Sequence, residues 1–152
     1  PSFLRRGKSM SIKQSAVAAP GWFTLAAVGA VLWEALGCAM FLWTAMADPA
    51  NLPVDQRAVL SATPVWVNAA WGFAVVTGIA GAILLLTRKR QAEPLLLLSF
   101  LAVVVQFGGL VLTPALRNLT SSDDLFMPFV VAVVCYGVWH LARKARKEGW
   151  LR

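Results

Sequence analysis

One carboxylate, Glu34, lies in the middle of the apolar stretch AAVGAVLWEALGCAMFLW, which covers residues 26–43. Ionisable groups inside membrane spans usually face a protein interior or a water-filled path, and many of them carry protons or bind cations. One hypothesis is therefore that Glu34 couples to protons or binds a cation. The alternative is that Glu34 is a protonated acid whose hydrogen bonds to other polar side chains fix the register of its helix.

Two amides are the candidate partners of this carboxylate. With a rise of about 1.5 Å per residue, Glu34 lies roughly 20 Å and Gln106 about 18 Å from one side of a bilayer. By the same measure Asn68 lies about 6 Å in from the other side, so that all three could meet in one half of a core about 30 Å thick. Tryptophans nearby in the sequence could wall the space. The candidate intramembrane site comprises Glu34, Asn68, Gln106, Trp33, Trp66 and Trp71.

The chain that must position these residues is both apolar and basic. Of its 152 residues, 59% are hydrophobic and 14% are charged, and its net charge is +7. A soluble domain usually has about 25% charged residues. This composition is typical of a membrane protein whose cations gather at one face. It argues against a nucleic-acid partner, because most of the surface would be apolar.

Four apolar segments are long enough to cross a bilayer, which takes about 20 residues in a helix. Backbone groups in hydrocarbon must pair within their own segment, so each segment is predicted to be helical. The sequence therefore predicts an all-α membrane protein with four transmembrane helices in an antiparallel bundle. The predicted spans cover about 21–46, 64–87, 94–113 and 125–141.

The distribution of lysine and arginine predicts the orientation of the spans. Twelve of the 14 lysines and arginines lie in a tail over 1–20, in the loop after the second span, or in a tail over 142–152. The transmembrane domain between the tails covers 21–141. The two remaining cations, Arg57 and Arg117, lie in its first and third loops. Basic loops stay cytoplasmic, so both termini are predicted on the cytoplasmic side of a bacterial inner membrane. The basic tails should attract anionic lipid by about 1 kcal/mol per cation.

Small residues recur at helical spacing along three of the spans, and such residues let membrane helices approach closely. Glu34 falls in the row of small residues of the first span, which places it on a packing face. In the third predicted span, Ser99, Ala102, Gln106 and Gly109 share one stripe. The residues predicted to pack helices together are Ala30, Gly37, Cys38, Ala70, Ala74, Gly78, Ala82 and Gly109.

The sequence offers no recognisable reactive set. It has no CxxC motif and no His/Cys cluster with metal-ligand spacing. Its single histidine, His140, falls at the cytoplasmic end of the last predicted span, away from Glu34. We therefore predict no catalytic residues, no metal, no cofactor and no enzymatic activity. Cys38 and Cys135 fall at different estimated depths, so a disulfide between them is not expected.

Two stretches, LWEALGCAMFL and TPVWVNAAWGFAVVTGIAGAILLLTRKRQAEPLLLLSFLAVVVQFGG, carry a family resemblance over roughly residues 28–109. They resemble a family of small bacterial four-span inner-membrane proteins that are often labelled sugar transporters. The shared features are LW-x-x-x-G, P-x-W, G-x-x-G before a basic loop, and a proline that starts the third span. The resemblance implies a transporter. It also implies that an amide often replaces Glu34, which favours a structural role for this residue.

The segment GAVLWEALG is also similar to the first helix of small multidrug resistance transporters. In that family a glutamate that binds protons and drugs occupies the position of Glu34. The present chain departs from that family in its long first outer loop and its fixed charge bias.

The sequence favours a non-enzymatic accessory or packing subunit of a larger membrane complex, which would contact other membrane proteins or copies of itself. The uninterrupted spans and the rows of small residues indicate this function. The alternative is an oligomeric small-molecule transporter that uses Glu34 as its proton or cation site.

Overall fold

The computed structural model describes residues 17–152, and within that range the chain is helical and has no strand. Most of the predicted basic tail over 1–20 lies outside the described residues, including Arg5, Arg6, Lys8 and Lys13. The helices are α1 (Gly21–Met46), α2 (Val54–Ala62), α3 (Val65–Leu86), α4 (Ala92–Leu112), α5 (Pro114–Leu119) and α6 (Phe126–Lys147).

Four of these helices, α1, α3, α4 and α6, are long and apolar enough to cross a membrane. The first three agree with the predicted spans to within two residues at each end. Helix α6 continues to Lys147, six residues beyond the predicted end of the membrane span at 141. Its last two turns bury Ala142 and Ala145 and expose Arg143 and Lys144. One face of this basic segment therefore packs against the protein.

Helix α3 lies at the centre of the contact pattern, because it contacts both α1 and α4, and α4 in turn contacts α6. Small residues allow the close approach of α3 to its neighbours. A Cβ atom built on Gly81 would lie 2.8 Å from Cγ of Leu96 in α4. Ala74 and Ala82 of the same helix are also buried.

A cluster of buried side chains joins the four long helices at one end, which we call the packed end. It combines alanines with a few large side chains and includes residues from the start of α1, the end of α3, the start of α4 and the end of α6. Its members are Phe23, Ala27, Leu85, Ala92, Leu96, Ala142, Ala145 and Leu151.

The residues after α6 return to the packed end and pair with the α3–α4 turn. The turn back occurs at Gly149, whose φ of 73° is one that glycine adopts readily, and the Trp150 N–H donates to the Ala145 carbonyl at 2.9 Å. The Arg152 N–H then donates to the Arg88 carbonyl at 2.6 Å, and the Arg90 N–H donates to the Arg152 carbonyl at 3.0 Å.

The opposite end, which we call the loop end, is formed by residues 47–64 and 113–125. It contains α2 and α5, which contact each other, and two 3-10 turns at Pro49–Asn51 and Asp123–Leu125. The Arg57 guanidinium donates to the carbonyls of Ala50 and Leu52, both at 3.1 Å, and so ties α2 to the segment before it.

Candidate functional site

Glu34 lies on the face of α1 that packs against α3. The buried side chains of α1 recur every three or four residues and therefore share one face: Phe23, Ala27, Ala30 and Glu34. Only 7% of the Glu34 surface is exposed. The carboxylate is thus in the protein interior, in the row of small residues where the sequence places it.

The absence of a side chain at Gly78 makes room for the Glu34 carboxyl group. A Cβ atom built on Gly78 would collide with Oε2 of Glu34 and would lie 2.7 Å from its Cδ. The same atom would lie 2.9 Å from Oγ of Ser99 in α4. Glu34 and Ser99 therefore meet over the backbone of α3.

The hydroxyl of Ser99 is already engaged at this point. It donates to the carbonyl of Ala74 at 2.8 Å. Among residues 17–152, the Glu34 carboxyl receives no hydrogen bond from Asn68, Gln106 or Ser99. The hydrogen bonds expected for a purely structural Glu34 are thus not formed by the two amides.

A cavity of about 310 Å³ borders Glu34, and we call it the Glu34 cavity. Residues of α1, α3, α4 and α6 line it, and most of them are apolar. Among residues 17–152, Glu34 is the only carboxylate in its lining, and Trp33 and Trp71 supply aromatic walls. Gln106 and Cys135 add polar atoms to this otherwise apolar space.

A second cavity, of about 590 Å³, lies at the loop end, and we call it the loop-end cavity. Its lining is more polar and includes Asn68, Asp55 and Asp124. Three residues, Trp71, Gln106 and Phe107, line both cavities. The two spaces are therefore adjacent, and we call these three shared residues the wall.

The six residues of the predicted site divide between these surroundings. Trp33 and Glu34 line the Glu34 cavity, Asn68 lines the loop-end cavity, and Trp71 and Gln106 line both. Trp66 is not in the lining of either cavity. Its indole packs instead against Gly109, where a Cβ atom would lie 2.6 Å from the ring.

The residues predicted to pack helices together also differ in their surroundings. Ala30, Ala74, Gly78, Ala82 and Gly109 are buried, and Ala70 and Cys38 are half-buried. The Cys38 thiol lies 4.0 Å from the Val75 carbonyl of α3. A Cβ atom on Gly37 would meet no heavy atom within 4 Å, and this glycine borders the Glu34 cavity instead of a neighbouring helix.

Ser99, Phe107 and Cys135 belong to the site but are absent from the predicted set. Ser99 was recognisable, because it shares a stripe with Gln106 on one face of α4. Cys135 was not recognisable, because its estimated depth differs from that of Cys38 and gives no information on which cavity it faces. Both cysteines are free thiols.

A lone carboxylate in an apolar cavity suits a limited chemistry. Ca²⁺ prefers six to eight oxygen ligands, which this lining does not supply. Across residues 17–152, no group of three or more His, Cys, Asp or Glu side chains is arranged to hold a metal ion. A single carboxylate beside aromatic walls can exchange a proton or pair with one monovalent or organic cation.

Comparisons of the chain with protein-family models, with curated proteins and with solved structures find no match.

Proposed function

We propose that this chain is a multi-pass protein of a bacterial inner membrane, with successive spans antiparallel and both termini on the cytoplasmic side. The distribution of charge supports this topology. Arg88, Lys89 and Arg90 form the α3–α4 turn, and five more cations follow in residues 143–152. Hydrogen bonds join this turn to the last residues of the chain. The cations of both segments would then face the same, cytoplasmic, leaflet.

We further propose that the protein is a small-molecule transporter in which Glu34 binds a proton or a cation. The observation that carries this proposal is the position of a buried carboxyl group on the wall of a cavity large enough for a small molecule. Ionisable groups are costly inside a membrane, so one that faces a cavity is best explained by a ligand or a proton.

The surroundings of Glu34 support exchange of this ligand or proton. The hydroxyl of Ser99 already donates to Ala74, and the amide of Gln106 makes no bond to the carboxyl group. Glu34 therefore keeps acceptor capacity for a donor that enters the cavity. The faces of Trp33 and Trp71 could add cation–π attraction of about 0.5–2 kcal/mol for an organic cation.

Proton flux into proteoliposomes tests this proposal. Vesicles that contain a pH-sensitive dye would be exposed in turn to gradients of Na⁺, K⁺ and tetramethylammonium. We expect one of these cations to drive a proton flux that Glu34→Gln abolishes, because an amide neither ionises nor neutralises a cation. Infrared difference spectra should show a carboxyl band that responds to the same cation and disappears in the variant.

Glu93→Gln is the matched control, because Glu93 begins α4 and pairs with Arg146 outside the cavity. This variant should keep the flux. A Glu34→Gln protein with unchanged flux for all three cations, or a wild-type protein with none, would rule out the transport proposal.

A second candidate function is that of an accessory subunit of a larger membrane complex. The observation that favours it is the continuity of α1, α3 and α4, each of which is a single unbroken helix. Transporters commonly interrupt their helices where the substrate binds. Extraction in a mild detergent followed by identification of bound proteins distinguishes the two functions. A partner recovered in a fixed ratio supports the accessory function, and a pure monomer or self-oligomer contradicts it.

A further inference from the structure

We propose that the loop-end cavity is the entrance to the Glu34 cavity, and that the wall of Trp71, Gln106 and Phe107 is the gate between them. The two cavities are adjacent because they share these three residues. This proposal rests on the proposed function of Glu34, because it takes this carboxylate as the group that a ligand or proton must reach.

The difference in polarity between the two cavity linings indicates the direction in which a solute would enter. The loop-end cavity has two carboxylates and several amides in its lining, whereas the lining of the Glu34 cavity has fewer polar groups. Water and hydrated solutes therefore enter the loop-end cavity at a lower cost than the Glu34 cavity. A cation would be attracted first by Asp55 and Asp124, which line the loop-end cavity.

The Glu34 cavity also opens sideways between α1 and α6, where Leu36 and Met40 are exposed, but in the proposed topology this opening faces lipid and does not admit hydrated solutes. The packed end blocks the route from the other end of the bundle. Ala27, Leu85 and Ala92 are fully buried there and make one continuous cluster with the residues that follow α6. Close-packed interiors leave few voids larger than a water molecule. The path from Glu34 to the packed end is therefore closed by side chains from all four long helices.

The wall is built from side chains that are only half-buried. The ring of Trp71 makes an edge contact with Phe41, with the ring centroids 5.1 Å apart. The Phe41 ring in turn packs against the backbone of Gly72, where a Cβ atom would lie 3.1 Å from the ring. Trp71, Gln106 and Phe107 are only half-buried, so rotation of their side chains would connect the two cavities without moving a helix.

Cysteine labelling tests the route. Single cysteines at Asn68, Ser99 or Ala92, in a Cys38→Ala/Cys135→Ala background, report the loop-end cavity, the Glu34 cavity and the packed end. A charged methanethiosulfonate reagent that does not cross membranes would be added to right-side-out or inverted vesicles. We expect Asn68→Cys to react fast, Ser99→Cys to react slowly from the same side, and Ala92→Cys to remain unlabelled from that side.

Substitution of the wall tests the gate. Trp71→Ala should raise the labelling rate of Ser99→Cys by about tenfold, since a protected group reacts in proportion to the population of the open form. The rate at Asn68→Cys should not change. Trp43→Ala is the matched control, because Trp43 lines the loop-end cavity but not the wall. It should leave the rate at Ser99→Cys as it was.

Native Cys135 provides a second reporter, because it lines the Glu34 cavity without any change at Ser99. In a Cys38→Ala background it should show the same side preference and the same response to Trp71→Ala. Labelling of both reporters from the opposite side, or rates that ignore Trp71→Ala, would overturn the route. These labelling rates do not depend on proton flux. The transport proposal can therefore fail while the route is confirmed, and the route can fail while transport is confirmed.

Discussion

The same four long helices run from the packed end towards the loop end, and they meet differently at their two ends. At the packed end, alanines alternate with a few large side chains such as Phe23 and Leu85, and the helices close on one another. Towards the loop end, tryptophans, phenylalanines and amides line two cavities. Inside a bilayer, helix association depends on close packing of small residues more than on the hydrophobic effect. Side-chain size along the spans therefore distinguishes the close-packed end from the end that contains cavities.

The largest effect is expected from removing a large side chain at the packed end. Leu85→Ala would leave a cavity among four helices, because Leu85 is fully buried. We expect a loss of about 2–5 kcal/mol in the free energy of unfolding. Leu86→Ala is the matched control, because its neighbour Leu86 is 36% exposed. Unfolding by sodium dodecyl sulfate in mixed micelles measures both. Equal losses for the two variants would contradict the contrast between the ends.

An intermediate loss of stability is expected at Gly78, where the Glu34 side chain of α1 packs against α3. In Gly78→Ala, the new methyl group would displace the carboxyl of Glu34 and crowd Ser99. Overpacking of this kind costs about 1–3 kcal/mol. Gly37→Ala is the control, because a Cβ atom there meets nothing within 4 Å. The same unfolding assay should show a loss for Gly78→Ala alone. A stability equal to wild type at both positions would mean that α1 and α3 are not in close contact at Glu34.

The smallest effect is expected from the ion pair that joins α4 to α6 at the packed end. Nη1 of the Arg146 guanidinium lies 2.7 Å from the Glu93 carboxylate. The arginine side chain is 55% exposed, so solvent screens the attraction. A double-mutant cycle of Arg146→Ala and Glu93→Ala should give a coupling energy of about 0–1 kcal/mol. A coupling far above this range would show that charge, in addition to packing, holds this end together.

The spans were predictable because hydrophobicity and length alone identify them. The sequence also predicts that Glu34 faces the protein, since the row of small residues in α1 contains it. It does not predict α5, because Pro114–Leu119 is too short and too mixed in composition to stand out. Nor does it predict that Ala142 and Ala145 are buried in the last turns of α6, because their burial depends on the other helices.

The partners of Glu34 were harder to predict than its burial. The rise of a helix gives the depth of a residue but does not give its direction around the bundle. Asn68 and Gln106 have suitable depths, yet neither bonds to Glu34, and Asn68 faces the loop-end cavity. The nearest neighbours, Gly78 and Ser99, follow from how α3 and α4 rotate against α1. This rotation of the helices cannot be inferred from a single sequence.

The pairing of the final residues with the α3–α4 turn has a mechanical consequence. Backbone hydrogen bonds join Arg152 to Arg88 and Arg90, and the Glu93–Arg146 pair lies beside them. A tilt of α6 away from α4 at this end would have to break all of these bonds together. The far ends of the same helices border open space. We therefore expect any separation of α6 from α4 to begin at the loop end and not at the cationic end.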